Sequence, residues 1–305
     1  MERVLRILDV SSYIHAGNVN KYAKLSGPVV KTDRGYTVPT IAAGGISLIF
    51  NELYAHYGTC DYIFCCDRNP TIKKGMYPDY KSSREHKRSI STGKDVAEYI
   101  LKSCGFTVMY GDGYEADDYI YSCAKRFQKE YDRIYVHVGD SDLYFLVNDN
   151  TSIAKTHSQT KEVDMNNYSV KCARDATVPY NTCTFRKVLF GDTSDNIPAL
   201  PVEQQSYLQK LFYNEHDMPL LGNKEFVRAV IEQVAPWALH QVDLVYPLDT
   251  DTPDNIAKGD KDLVRAWGYA MNNKCFRNPE FEDNTGRIKA DIEEMITMGF
   301  SEEGD

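Results

Sequence analysis

Short apolar runs alternate with stretches whose apolar residues recur every three or four positions, and this rhythm holds from Val4 to about residue 140. Val4–Leu8 reads as a buried strand ending in Asp9. Asp61–Cys66 reads as a second, closed by Asp67, and Phe106–Tyr110 and Arg133–Val138 as two more. Between them, Pro39–His56 places Ile41, Ile46, Ile49, Phe50 and Leu53 at helical spacing, and Lys94–Ser103 and Tyr114–Glu130 are further helices. Residues 11–36 mix Gly, Ser and Lys and read as loop. Strands alternating with helices predict an α/β fold with a largely parallel sheet and right-handed crossovers. Past about 180 the texture changes: Gly191-Asp-Thr-Ser-Asp-Asn-Ile-Pro-Ala-Leu-Pro201 is rich in turn residues, and helical patterns follow at 203–213, 223–235 and 260–272. The chain therefore divides into a core, 1–180, and a helical region, 181–305.

Composition narrows the function classes. The 305 residues contain no run of eighteen apolar positions, which excludes a membrane-spanning helix, and the charged opening Met-Glu-Arg is unlike a signal peptide. Eight cysteines form no CxxC pair, and seven histidines form no HExxH, so neither a zinc site nor a disulfide framework is implied. Reduced thiols in a cytoplasmic protein fit this pattern. The net charge of −9 argues against a nucleic-acid partner until its distribution is seen. Arg68–Lys94 carries eight Lys/Arg against two acids, whereas Asp249–Asp262 carries five acids against two lysines.

The acids form the strongest pattern. Asp9, Asp67 and Asp140 each terminate a predicted strand, and in open α/β sheets ligands bind beyond the carboxyl ends of strands. Glu115, Asp117 and Asp118 open the helix that follows Gly113, more acids than the free N–H groups of a first turn require. Asp140 and Asp142, two apart in extended chain, face one side. Asp192 and Asp195 form another pair in the turn-rich loop. Nine carboxylates converging without cations would repel one another in a low-dielectric site, whereas hard divalent cations with oxygen ligands resolve the repulsion. Two such ions about 4 Å apart can clamp a phosphodiester. The basic stretch 69–92, with Tyr77 and Tyr80 interleaved among Lys73, Lys74, Lys81, Arg84, Lys87 and Arg88, suits backbone contact and base stacking on a single strand.

Six blocks in this order resemble the structure-specific 5′ nucleases: flap endonucleases, phage 5′-3′ exonucleases and ribonucleases H, and the 5′ nuclease domain of bacterial DNA polymerase I. They are Asp9, Asp67, Tyr77-Pro-Asp-Tyr80-Lys81-Ser-Ser-Arg84, Glu115-Ala-Asp117-Asp118, Asp140-Ser-Asp142 and Gly191-Asp192-Thr-Ser-Asp195-Asn196-Ile-Pro198. The resemblance implies a PIN-like, Rossmann-like sheet with helices on both faces, a basic arch at 69–92 and a helical C-terminal subdomain. It implies two Mg²⁺ ions, with Mn²⁺ as a substitute, one held by Asp9, Asp67, Glu115 and Asp117 or Asp118, the other by Asp140, Asp142, Asp192 and Asp195, with Asp140 contributing to both. Lys81 and Arg84 match the pair that steadies the scissile phosphate, Tyr80 a position that stacks on a base, and Asp140 joins them as a catalytic candidate. Expected partners are DNA with a 5′ flap or end, an RNA primer on DNA, and replication proteins, for a monomer in the cytoplasm of a phage-infected cell. The sequence departs from the family after Pro198. Ala199-Leu-Pro201-Val202-Glu-Gln-Gln-Ser206-Tyr stands where a glycine-rich hairpin of the form G-[IV]-G-x-[KR]-T holds duplex phosphate, so the helix-hairpin-helix region is atypical. Lys187, Lys210, Lys224 and Arg228 are the cations placed to grip duplex instead. A PIN-type ribonuclease and a catalytically silent DNA-binding scaffold are the rival classes; the first would not need the basic stretch and the second would not need the acids.

Overall fold

The computed structural model describes residues 2–19, 29–31, 37–84, 88–111, 113–155, 163–165, 169–171, 177–213 and 217–265. By its internal packing the chain forms two units, one of residues 3–66, 86–109 and 253–305, the other of residues 1–2, 67–85 and 110–252.

In the unit that contains Asp9, strands β1 (Val4–Asp9), β4 (Asp61–Cys65) and β5 (Thr107–Met109) pair in parallel, in register Leu5 to Asp61 and Ile63 to Thr107. Parallel strands buried on both faces read as near-continuous apolar runs, and Leu5, Ile7, Leu8, Ile63, Phe64 and Cys65 are fully buried. Helices α1 (Val10–Val19), α2 (Thr40–His56) and α4 (Arg88–Ser103) belong to the same unit, as does the short antiparallel pair β2 (Val29–Lys31) and β3 (Thr37–Pro39). Its core joins Leu8, Val10 and Ile14 to Phe50, Leu53, Phe64, Ile100 and Phe106.

Helix α1 lies where the composition of 11–36 predicts loop. Its Gly17 serves packing instead of turning: a Cβ on Gly17 would stand 2.1 Å from the Gly45 nitrogen, and one on Gly44 would stand 2.9 Å from the Gly17 oxygen. Glycine there permits the backbones of α1 and α2 to approach.

The other unit holds α3 (Thr71–Met76), α5 (Ala116–Phe127) and the parallel pair β6 (Arg133–Val138) and β7 (Thr151–Lys155), in register Ile134 to Thr151. The hairpin β8 (Ser169–Lys171) and β9 (Thr177–Pro179) follows, then α6 (Cys183–Phe190), α7 (Val202–Leu208), α8 (Lys224–Val234) and α9 (Leu239–Val245). Phe185, Val188, Leu189, Leu221, Val227, Ile231, Val242 and Tyr246 form one apolar cluster, which includes Tyr80. Parallel strands with helices between them, followed by a helical region, give the α/β class that the sequence pattern predicts. The helix expected at 260–272 is present at 261–265, and its remainder lies outside the described residues. Among the described residues no helix is long and apolar enough to cross a membrane.

Candidate metal centre

Eight of the nine acids singled out by the sequence lie in the second unit. Asp117, on the first turn of α5, and Asp140 and Asp142, just beyond β6, each offer a carboxylate oxygen within 4.8 Å of the others. This set is all oxygen, which suits a hard divalent cation and no soft metal. The Asp142 N–H donates to Asp140 Oδ1 at 3.3 Å, and the Asp142 carbonyl accepts from Thr184 Oγ1 of α6 at 2.7 Å, so the turn after β6 is tied to that helix.

The neighbouring acids are held by protein cations. Lys73 of α3 is 3% exposed, and its Nζ lies 2.8 Å from Glu115 Oε2 and 3.4 Å from Asp118 Oδ1. Lys81 also contacts Glu115 and stands 3.7 Å from Asp195, which pairs in turn with Arg84. Burial pushes the Glu115 carboxyl up, but Lys73 and Lys81 outweigh burial and bring it down to about 2. Lys187 Nζ lies 2.5 Å from Asp142 Oδ1 and 2.7 Å from Asp192 Oδ2. Burial disfavours the Lys187 ammonium, yet the fields of Asp142, Asp192 and Asp140 hold its pKa above the ordinary lysine value. For Asp192, burial is likewise outweighed by Lys187 and by two hydrogen bonds from Ser194, and its carboxyl falls to about 2. Burial dominates at Asp195 and raises its carboxyl against the pull of Lys81 and Arg84.

Local backbone explains these positions. The Asp192 and Ile197 backbones exchange hydrogen bonds at 2.9 Å, which folds Gly191–Pro198 into a tight loop. The loop turns on Gly191 at φ 72°, where a Cβ would meet the Ile197 oxygen at 2.5 Å. The Lys81 N–H donates to the Asp195 carbonyl at 3.0 Å and Ser83 Oγ to Asn196 Oδ1 at 2.5 Å, which joins the basic segment to the acidic loop.

Asp118 is fully buried, and its carboxylate accepts the Glu115 N–H at 2.9 Å and the Leu248 N–H at 2.8 Å. These bonds make it a helix cap and a tie to residue 248. Asp67 Oδ1 accepts the Ala116 N–H at 2.9 Å, at the start of the same helix. Asp9 closes β1 in the other unit, where its carboxylate accepts from the Ser11 N–H at 2.8 Å and from the Ser12 hydroxyl.

The basic stretch differs from its sequence reading in two places. The Tyr80 ring, expected to stack on a base, is 2% exposed and its hydroxyl donates to Glu115 at 2.8 Å, so it offers no face to a ligand. Lys73, expected to meet phosphate, is buried against carboxylates. Tyr77 is half-buried with its ring 5.8 Å from that of His240, Lys74 donates to Asn69, and the Arg84 side chain remains 52% exposed. Lys87 and the Arg88 side chain lie outside the described residues. Of the cations proposed for duplex, Lys187 belongs to the acidic centre, Lys224 and Arg228 pair with Asp243, and Lys210 lies over the Tyr207 ring. The sequence signal for Lys187 is its place in the last turn of the helix that delivers Asp192.

Residues 4–173 match the family described as 5′-3′ exonuclease, N-terminal resolvase-like domain. DNA polymerase I of Mycobacterium bovis is 30% identical over 132 residues, 43% of this chain and 14% of that protein. A 5′-3′ exonuclease of Mycoplasma genitalium is 30% identical over 173 residues, 51% of this chain and 59% of its own. The chain thus spans less than two thirds of the length of these curated relatives. Among solved structures, a phage T5 5′-exonuclease with bound zinc aligns with 96% of this chain and 99% of its own, at a TM-score of 0.53 and 17% identity. A phage T5 flap endonuclease in a complex with DNA and metal ions aligns with 97% and 100%, at a TM-score of 0.51 and 17% identity. With an acidic centre, an α/β fold and a match across more than half its length, the chain belongs to the 5′-3′ exonuclease family with the N-terminal resolvase-like domain.

Proposed function

We propose that this protein is a divalent-metal-dependent 5′ nuclease, a 5′-3′ exonuclease and flap endonuclease that hydrolyses phosphodiesters at 5′ ends, flaps or RNA primers on DNA. The observation that carries the reading is the carboxylate trio Asp117, Asp140 and Asp142 in the same unit as the Lys81–Arg84 segment. We assign Mg²⁺, replaceable by Mn²⁺, with Asp117, Asp140, Asp142, Asp192 and Asp195 as direct or water-mediated ligands, and Asp67, Glu115 and Asp118 as the groups that fix the helix carrying Asp117. Asp9 joins the ligand set by resemblance to the family.

When bound, the ions supply Lewis-acid stabilisation of a phosphodiester and an activated attacking water. The residues of the chain orient and neutralise. Arg84, anchored by Asp195, presents two donors to a phosphate, and Lys81 offers a point charge that exchanges Glu115 for phosphate oxygen. Glu115 accepts Lys81 when no substrate is present, while Glu115 and Asp118 together hold the buried Lys73. The relatives are a DNA polymerase and a 5′-3′ exonuclease, and one T5 neighbour holds DNA with metal ions. This supports DNA as substrate and a role in replication or repair; a monomer in the cytoplasm of a phage-infected cell is assigned by resemblance to the family alone.

A 5′-labelled flap incubated with Mg²⁺ should be shortened by the native protein and left whole by Asp140→Asn. Equal behaviour of the two proteins would sink the reading. Preference for single-stranded RNA would favour a PIN-type ribonuclease instead.

A further inference from the structure

We propose that Lys187 is an internal counter-ion that competes with a divalent ion for Asp142 and Asp192, and thereby sets the affinity of the weaker of two metal positions. The inference rests on the nuclease reading above and deepens it.

The ammonium bridges two carboxylates, 2.5 Å from Asp142 Oδ1 and 2.7 Å from Asp192 Oδ2, with the side chain 17% exposed. An oxygen-liganded divalent ion sits about 2.0–2.6 Å from its ligands, so an ion bridging the same two oxygens would need the volume the ammonium occupies. The contact is built into the fold. Lys187 lies one turn beyond Thr184, whose hydroxyl holds the Asp142 carbonyl at 2.7 Å, and four residues before Gly191 begins the loop that carries Asp192. A surface pair would be free to drift, whereas here both acids are positioned by the helix that supplies the cation.

Asp142 also belongs to the trio with Asp117 and Asp140. It therefore faces two claims, from a cation at the trio and from Lys187 on the Asp192 side. The positions become unequal. An ion at the trio leaves the Lys187–Asp192 contact in place, while an ion joining Asp142 to Asp192 must first displace the lysine. Filling is ordered: the trio fills first, and the Asp142–Asp192 position fills at a higher metal concentration.

The test is a Mn²⁺ titration by calorimetry of the native protein, Lys187→Met and Lys187→Arg, with thermal unfolding of each in EDTA and in Mn²⁺. Lys187→Met should tighten the weaker site by about 10-fold or more, with the tighter site shifted by less than about 3-fold, the scale on which neighbouring groups tune metal affinity. It should also unfold at a lower temperature than the native protein in EDTA and gain more from Mn²⁺. Lys187→Arg, which keeps the charge, should retain the weak site. Unchanged or weaker binding at that site in Lys187→Met overturns the proposal while leaving the nuclease reading intact. Failure of the native protein to bind any Mn²⁺ overturns the nuclease reading itself. If Lys187→Met does not fold even in Mn²⁺, Lys187→Gln is measured by the same criteria.

Discussion

Lys73 Nζ stands 2.8 Å from Glu115 Oε2 and 3.4 Å from Asp118 Oδ1 in a place where the lysine is 3% exposed, so a residue from the most basic stretch of the chain is spent inside the protein on two acids. Removing one partner of a buried pair leaves an uncompensated charge and costs about 3–5 kcal/mol. Lys73→Met should sit at the lower end in urea unfolding, because Lys81 still contacts Glu115.

The same pair makes stability depend on acid pH. Glu115 titrates in the fold at about 2, below its ordinary 4.5, so its contribution is complete above pH 4.5 and is lost as pH falls toward 2. A shift of this size corresponds to on the order of 3 kcal/mol. In metal-free protein, Glu115→Gln should flatten the fall of unfolding free energy across that window. A slope equal to the native one would show that Glu115 is not the group responsible.

Tyr80→Phe should behave as a core substitution. The variant keeps the ring and loses a buried hydroxyl that donates to Glu115, for a cost of about 1–3 kcal/mol. Its melting temperature should drop while affinity for single-stranded DNA, measured by fluorescence anisotropy, stays within twofold of native. A large loss of affinity with no loss of stability would restore the stacking role.

Arg84 and Asp140 should affect turnover without unfolding the protein. The Arg84 side chain is 52% exposed and Asp140 is exposed, so neither carries core packing. Arg84→Lys loses the two-donor geometry and should lower kcat/KM on a 5′ flap by about 10²-fold, and Asp140→Asn by about 10³-fold or more. Circular dichroism melts within a few degrees of native would confirm that the loss is chemical.

Gly191→Ala should destabilise the acidic loop. At φ 72°, with the Ile197 oxygen 2.5 Å and the Ala199 nitrogen 2.7 Å from the new Cβ, the loop must open. The cost is about 2 kcal/mol or more. Weakened Mn²⁺ binding should accompany it, because Asp192 is the next residue.

The strands and most core helices were legible because burial on both faces of a parallel sheet leaves a plain apolar signature, and β6 carries the bounds its pattern gives. The acids were legible as a set because Asp9, Asp67 and Asp140 follow strands. Helix α1 is not legible, because nothing local distinguishes Gly17 from a loop glycine and the residue it packs against, Gly45, lies twenty-eight positions away. Lys73 and Tyr80 read in sequence as nucleic-acid contacts for the same reason. Nothing near them in sequence marks them as buried, and the partner that decides it, Glu115, lies more than thirty residues on. Lys187 reads in sequence as a cation placed for duplex, since the pattern does not reveal that α6 aims it at Asp142. Long-range pairing decides what a charged side chain is for, and local pattern does not carry it.

Lys81 and Asn196 are the two non-glycine residues with positive φ among the described residues, at 55° and 60°, and they stand on the two segments joined by the Lys81–Asp195 and Ser83–Asn196 hydrogen bonds. Each segment therefore meshes with the other at a fixed tooth. A changed side chain at either place alters one contact, but one inserted or deleted residue between Tyr80 and Arg84, or between Asp192 and Ile197, would carry a cation and an acid out of step together. In a chain free to vary its surface loops, these two stretches are bound to keep their length even where they change their letters.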